Sequence, residues 1–387
     1  MLNKKLQVGI VGAGTAGLSA ALAFSNQGHS VTVFEKHASL LPLGAGILIQ
    51  PLGLVALKEL GVLPEFNAVS VPVNRLVGTC HRGWTLVDVP YDAMPARAVS
   101  RTALSTVLQT ALAQTDVNIR FATVVQDLSV DGPCARVQGP GFEQSFDLVI
   151  IADGAGSVLP AKAGLAVEST VYPWGALWGM FDVEDWYAPE SLVQRYGTTR
   201  QMYGLMPTAV SDEKMRLSLF WSLPANEYAA WKQAPIAQWK EKLLTLWPES
   251  GPVVSQIARH EQLAFATYRH AHAKTLAQGP ICMIGDAAHS MSPQLGLGTT
   301  LAVQDALVLA QEVQRHGPRE GAQAYSRKRL RTVQAYQAFS RILTPCFQAN
   351  GGGLWRDILF ASALKFPGTR KVMHYSVAGR AKQYRTL

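Results

Sequence analysis

Two stretches far apart in the chain share one arrangement of apolar and polar positions. In LQVGIVGAGTAGLSAALAFSNQGHSVTVFEK, Leu6 to Lys36, the apolar Val8, Ile10 and Val11 predict a buried strand. A glycine-rich turn follows, then Leu18, Ala21 and Leu22 at helical spacing. Gly28 ends that helix, and Val31 to Phe34 predict a second strand closed by Glu35. The segment GPICMIGDAAHSMSPQLGLGTTLAVQDALVLAQEV, from Gly279, repeats the order: a buried strand Ile281 to Ile284, a turn at Gly285 and Asp286, a glycine loop, and a helix from about Thr299. Between the two, alternation such as MRLSLFWSLP predicts an antiparallel sheet. From Ala322 the pattern is helical, and LFASALKF is a further amphipathic piece. No apolar run approaches the ~18 residues of a membrane span, and the first strand begins too early for a signal peptide, so the cytoplasm is the expected compartment.

This order predicts an α/β protein with a Rossmann-like nucleotide domain, formed by residues 1–70, 98–170 and 273–320. An antiparallel-sheet substrate domain, residues 71–97 and 171–265, is interleaved with it, and residues 321–387 form a C-terminal helical segment. The 387 residues are enough for two domains sharing a core, and only 16% of them are charged. Cys80, Cys134, Cys282 and Cys346 are widely spaced, which excludes a C-x-x-C zinc site and predicts reduced thiols. No metal is expected, since no ligand cluster accompanies the single H-x-H at His270 and His272. The net charge of +8 comes from the tail, where 12 Lys and Arg after Tyr325 face one acid, Asp357. No nucleic-acid motif accompanies it. The tail is either a solvated helical face or a docking surface for NADPH, an anionic substrate or, peripherally, an anionic membrane.

The chemistry resides in the turns. Gly12, Gly14 and Gly17 fit G-x-G-x-x-G between strand and helix. Gly12 permits the turn, Gly14 lets backbone approach a pyrophosphate at a helix N-terminus, and Gly17 lets helix pack on strand. Glu35 then suits a ribose hydroxyl, and the dinucleotide is NAD or FAD on this evidence. Asp286, at the end of a buried strand, needs hydrogen-bond donors such as the hydroxyls of a ribityl chain. In the loop Pro293 to Gly298, small residues leave room for a flat ring against backbone, with a helix N-terminus to stabilise its negative charge.

Over nearly its whole length the sequence resembles the class A FAD-dependent monooxygenases, the family of para-hydroxybenzoate hydroxylase. Gly12, Gly14, Gly17 and Glu35 match the dinucleotide fingerprint, with Ala16 and Lys36 beside them, and Gly285 and Asp286 match the G-D motif. RAVSRTALSTVL resembles the segment whose arginine, here Arg101, contacts the FAD linker. FDLVIIADGAGS resembles the D-G motif at Asp153 and Gly154, and Val125 falls where backbone meets the adenine. Pro293, Gly296, Leu297 and Gly298 complete the cofactor set the resemblance implies. Two positions depart from the family: Pro160 stands where the D-G motif usually reaches an arginine, and Thr299 and Thr300 follow Gly298 in place of an asparagine. A threonine there can still cap the helix.

The resemblance implies FAD, reduced by transiently bound NADPH or NADH. O2 then adds at flavin C4a and the resulting hydroperoxide hydroxylates an electron-rich aromatic or polycyclic small molecule. A reductase or dehydrogenase of a hydrophobic substrate without oxygen insertion, or a non-catalytic FAD-binding protein, are the alternatives. No Ser-His-Asp or Cys-His grouping is visible, so no side chain is assigned as acid or base, and His289 after the G-D turn reads first as a packing residue. Seven of the nine tryptophans lie between Trp174 and Trp247. They fill a core or line a substrate pocket, for which Trp178, Tyr196 and Tyr203 are candidates. Gly44 to Gly46 is a plain loop or a mobile one beside the flavin ring.

Overall fold

The computed structural model describes residues 4–40, 46–92, 94–211 and 214–377. The N-terminal run condenses as its pattern requires: strand Gln7–Val11, helix Thr15–Asn26 and strand Ser30–Phe34, the helix burying Leu18, Ala21 and Leu22. The chain leaves that helix at Gly28, whose φ of +81° favours glycine. Five strands pair in parallel, in the order Ile281–Met283, Leu148–Ile151, Gln7–Val11, Ser30–Phe34, Asn118–Arg120. A short antiparallel strand, Ala277–Gln278, closes one edge. Such parallel strands are buried on both faces, which is why Leu148–Ile151 and Ile281–Met283 are apolar throughout. Helices Thr15–Asn26 and Gly298–His316 pack together against this sheet.

The alternating middle of the chain makes a seven-stranded sheet, led by Val167–Val183, Met202–Ser211, Lys214–Pro224 and Ala264–Ala273. Its outer face carries Leu177, Tyr203 and Trp221, adjacent by register. With Trp186, Trp231, Trp239 and Trp247 from the covering segments these form a second core. The tryptophan cluster is therefore mainly packing.

Three boundaries differ from the sequence expectation. The division at residues 170 and 171 falls inside the continuous strand Val167–Val183, which pairs with Ala264–Ala273 on both sides of a register shift between Val171 and Gly175. The region 71–97 divides. Arg75–Cys80 and Thr85–Pro90 join the large sheet, whereas Val71–Val73 and Ala96–Ser100 flank Gly46–Ile49 in a separate three-stranded sheet. Within 98–170, Asp127–Asp131, Cys134–Gly139 and Phe142–Phe146 form an antiparallel meander outside the parallel sheet. The C-terminal part comprises helices Pro318–Phe347, Leu354–Ala363 and Pro367–Val377. Among the described residues no helix is long and apolar enough to cross a membrane, and no group of three or more His, Cys, Asp or Glu could hold a metal ion.

Candidate functional site

Five of the motifs read for cofactor binding, all but Arg101 and the Pro293–Gly298 loop, sit just beyond the carboxyl ends of different parallel strands. Across the sheet the order is Gly285–Asp286, Asp153, Gly12, Glu35 and the segment leading to Val125. Open α/β sheets bind ligands at that edge, where loops leave the strands and helix N-termini face outward.

The first turn is fixed by contacts only glycine allows. Gly12 has φ +101°, and a Cβ there would stand 2.5 Å from the carbonyl oxygen of Ala152; one at Gly17 would stand 1.9 Å from that of Gly12. Around Gly14 nothing lies within 4 Å of a Cβ position, and helix Thr15–Asn26 begins there without a side-chain cap. Its first N–H groups therefore face open space, an arrangement that attracts an anion. Glu35 is buried and accepts from the backbone N–H of Ala13 at 2.8 Å and of His37 at 3.0 Å. Its own carbonyl accepts from Thr123 N–H, which brings the strand end alongside half-buried Val125. Asp153 lies near exposed Lys36 and Glu35. Burial, with a contribution from Glu35, holds its carboxyl above the usual carboxylate range, against a Ser157 hydrogen bond and the Lys36 charge.

The second turn abuts the first. Gly285 has φ +60°, and a Cβ there would be 2.8 Å from that of Ala16. Asp286, however, is exposed and takes no protein hydrogen bond, so the expected cost of burying this carboxylate is absent. The buried acid is Asp305, about two turns into the buried face of helix Gly298–His316. It accepts from Gly285 N–H at 3.1 Å and Arg329 Nε at 2.7 Å, and pairs with His289 Nε2 at 2.5 Å. His289 is thus a packing residue beneath the turn, held by a carboxylate the sequence reading missed. The helix starts at Gly298 with no side-chain cap. Thr300 does not cap it, because its hydroxyl accepts from Gln50 N–H at 3.1 Å. Gly296 and Gly298 face open space, whereas Leu297 is buried with Leu295 and Leu301, so this loop offers backbone on one side and anchors itself on the other.

The inner face of the large sheet meets that loop. Gln294 donates to Tyr172 Oη at 3.2 Å and to Gln348, which in turn donates to Ser222 Oγ at 2.6 Å. Half-buried Trp178 donates to Tyr268 Oη at 3.2 Å. Burial pushes the Tyr268 hydroxyl up to about 12, against the Trp178 hydrogen bond and the charge of Arg101, the exposed first residue of helix Arg101–Leu112. Trp178 therefore stands on the side where a substrate would lie. The two tyrosines proposed with it do not. Tyr203 is 0% exposed on the opposite face, inside the tryptophan core. Tyr196 is 2% exposed and sealed among Phe347, Arg356 and Gly78. Strand alternation separates Tyr203 from Trp178, a relation that needs the register and not the sequence alone. Of the Gly44 to Gly46 loop, Gly44 and Ala45 lie outside the described residues; Gly46 opens a strand and donates to Ser218 Oγ.

Several buried polar atoms around the two turns have no hydrogen-bond partner among the described residues: both amide atoms of Gln50, Asp153 Oδ1 and Gln294 Oε1. Buried polar groups are otherwise nearly always satisfied. Together with two uncapped helix N-termini and the open glycine backbone, they fit a ligand with hydroxyls, a charged linker and a heteroaromatic ring. Gln50 carried no signal in the sequence beyond its place before Pro51.

The family described as FAD binding domain matches residues 5–340. The chain is 28% identical over 333 residues to the FAD-dependent monooxygenase atnJ of Arthrinium sp, covering 79% of this chain and 75% of that protein. It is 27% identical over 315 residues to 6-methylpretetramide 4-monooxygenase of Streptomyces rimosus, with 77% and 72% covered. In fold it is similar to PqsL of P. aeruginosa, solved in complex with 2-aminobenzoylacetate, with a TM-score of 0.80, 20% identity, and 94% of this chain and 100% of that one covered. The family match runs from the first strand into the long C-terminal helix and so takes in both glycine turns, which resolves the choice of dinucleotide: the chain belongs to the FAD binding domain family, and FAD is its cofactor.

Proposed function

We propose that the protein is an FAD-dependent monooxygenase that uses NADPH or NADH and O2 to hydroxylate an aromatic or polycyclic small molecule. The observation that carries this reading is the placement of five motifs at the carboxyl ends of five parallel strands, with an open glycine loop facing an aromatic sheet. The monooxygenase names of its relatives support it, as does the aromatic acid bound to the neighbour of like fold.

FAD supplies the redox and oxygen chemistry, for which protein side chains have no equivalent. The chain's residues bind and orient it. The N–H groups from Gly14 to Gly17, with Ala16 at the helix start, receive the pyrophosphate, and Glu35 accepts from a ribose hydroxyl with the lone pairs that its backbone donors leave. Lys36 and Val125 would flank the adenosine end, while Arg101 would reach the linker. Asp286 accepts from the ribityl chain, and Pro293, Gly296, Leu297 and Gly298 present backbone to the ring, beside Gln50. Asp153 lies between the two ends. Trp178 and Tyr268 close the space opposite the loop, and Gln294 borders it on the loop's own side, where an aromatic substrate can stack and hydrogen-bond while water is excluded. The nicotinamide reductant binds transiently, since no second G-x-G-x-x-G is present. Pro160, buried at the start of a short helix, offers it no charge.

The test is a screen of phenols, quinolones and polycyclic aromatics against the FAD-loaded protein. One class should accelerate NADPH or NADH oxidation several-fold. Tight FAD binding with no acceleration by any class would assign the chain to a non-catalytic role.

A further inference from the structure

Helix Leu354–Ala363 is turned inside out. Arg356 and Asp357 are fully buried, while Leu354, Trp355, Ile358 and Leu359 are 48%, 51%, 51% and 54% exposed. A surface helix ordinarily shows the reverse. Its rotation is fixed by the buried charges. Arg356 donates to the carbonyls of Gly197 at 2.9 Å and Cys346 at 3.3 Å and pairs with Asp357 at 2.6 Å, whose other oxygen takes Arg82 at 2.7 Å. Rotating the apolar stripe inward would break every one of these contacts. The apolar face points outward, and Phe366 and Val372, further along the chain, are also exposed, at 63% and 62%. Contiguous exposed apolar surface of this kind marks an interaction site.

The charges nearby identify what it meets. Lys365, Arg370 and Lys371 are exposed, with Arg370 only 3.9 Å from its nearest acid, Asp88. Asp357, the one acid after Tyr325, is buried, and residues 378–387 add Arg380, Lys382 and Arg385 to the sequence with no acid. A second copy would oppose like charges across this face. An apolar helix stripe with an aromatic residue and a cationic border instead matches a bilayer surface carrying negative headgroups.

We propose that the C-terminal helices Leu354–Ala363 and Pro367–Val377 dock the protein peripherally on an anionic lipid bilayer, the apolar stripe entering the headgroup region. The test is sedimentation of the full-length, FAD-loaded protein with phosphatidylcholine vesicles and with vesicles containing phosphatidylglycerol. Binding should require the anionic lipid and fall with added salt. Ile358→Glu with Leu359→Glu should abolish it, and Lys365→Glu with Lys371→Glu should weaken it by about fivefold or more per charge, with FAD content unchanged in both. The second pair lies on exposed side chains and reports even if the first variant fails to fold. No binding to anionic vesicles at low salt, or equal binding by wild type and the lysine variant, would overturn the proposal. So would a dimer that the isoleucine–leucine variant dissolves, since the face would then belong to a second copy.

Discussion

Two acids and one amide near the two turns differ in what holds them, and their substitutions should separate accordingly. Asp305 is buried. Desolvation alone would raise its pKa, yet the charges of His289 and Arg329 and its hydrogen bonds outweigh this and hold it at about 2, below the ordinary 3.8. A lowered folded-state pKa means that the unfolded chain takes up the proton first. The stabilisation is complete above about pH 4 and lost as pH falls toward 2, amounting to about 2 to 3 kcal/mol. Asp305→Asn should therefore flatten the acid limb of the unfolding midpoint against pH. At neutral pH it should cost about 3 to 5 kcal/mol, because Arg329 is left buried without its partner. The exposed Asp286 carboxylate makes no hydrogen bond among the described residues, so Asp286→Ala should leave apoprotein stability unchanged and weaken FAD binding by roughly 1.5 to 3 kcal/mol, read as flavin occupancy at low micromolar protein. Gln50 is the converse of Asp305: its buried amide is unsatisfied. Gln50→Leu should match or exceed the wild-type apoprotein melting temperature and lower FAD affinity; a clear loss of apoprotein stability would contradict this. Sequence reading singled out Asp286, Glu35 and the glycines because their signal is local. Asp305 and Gln50 act through partners up to 250 residues away, which spacing does not encode.

Among elements, the loop Pro293–Gly298 makes the clearest demand. It is anchored by Leu295 and Leu297 and open at Gly296 and Gly298. A side chain at either glycine would project into the space proposed for the ring and substrate. Gly298→Val carries no positive-φ strain, whereas Gly296→Val adds strain at φ +60°. Both should retain FAD and consume reductant while releasing hydrogen peroxide in place of hydroxylated product, measured as product against peroxide per reductant oxidised. Coupling equal to wild type in both would place the reaction elsewhere. The strand and helix readings around this loop followed from apolar runs and glycine punctuation. The capping role expected of Thr300 failed because a tertiary partner, the Gln50 amide, takes its hydroxyl. Tyr203 failed as a pocket residue for a related reason: alternation fixes that two faces exist, and only pairing with Trp221 shows which one faces the cofactor.

At the scale of the whole molecule, the two glycine turns that open separate parts of the sequence meet through Gly285 and Ala16. The parallel order of the strands between them was implied by the resemblance, whereas the start of Val167–Val183 inside the expected nucleotide domain carried no glycine or proline to mark a new boundary before Pro173. The assembled edge accounts for FAD, and the aromatic sheet opposite accounts for a substrate held dry against it. The most direct test of that account supplies heavy-isotope O2, reductant and a substrate that accelerates reductant oxidation, then weighs the product. One labelled oxygen atom per product molecule is the predicted result; rapid reductant oxidation with no label in any product would contradict it and leave an electron-transferring flavoprotein.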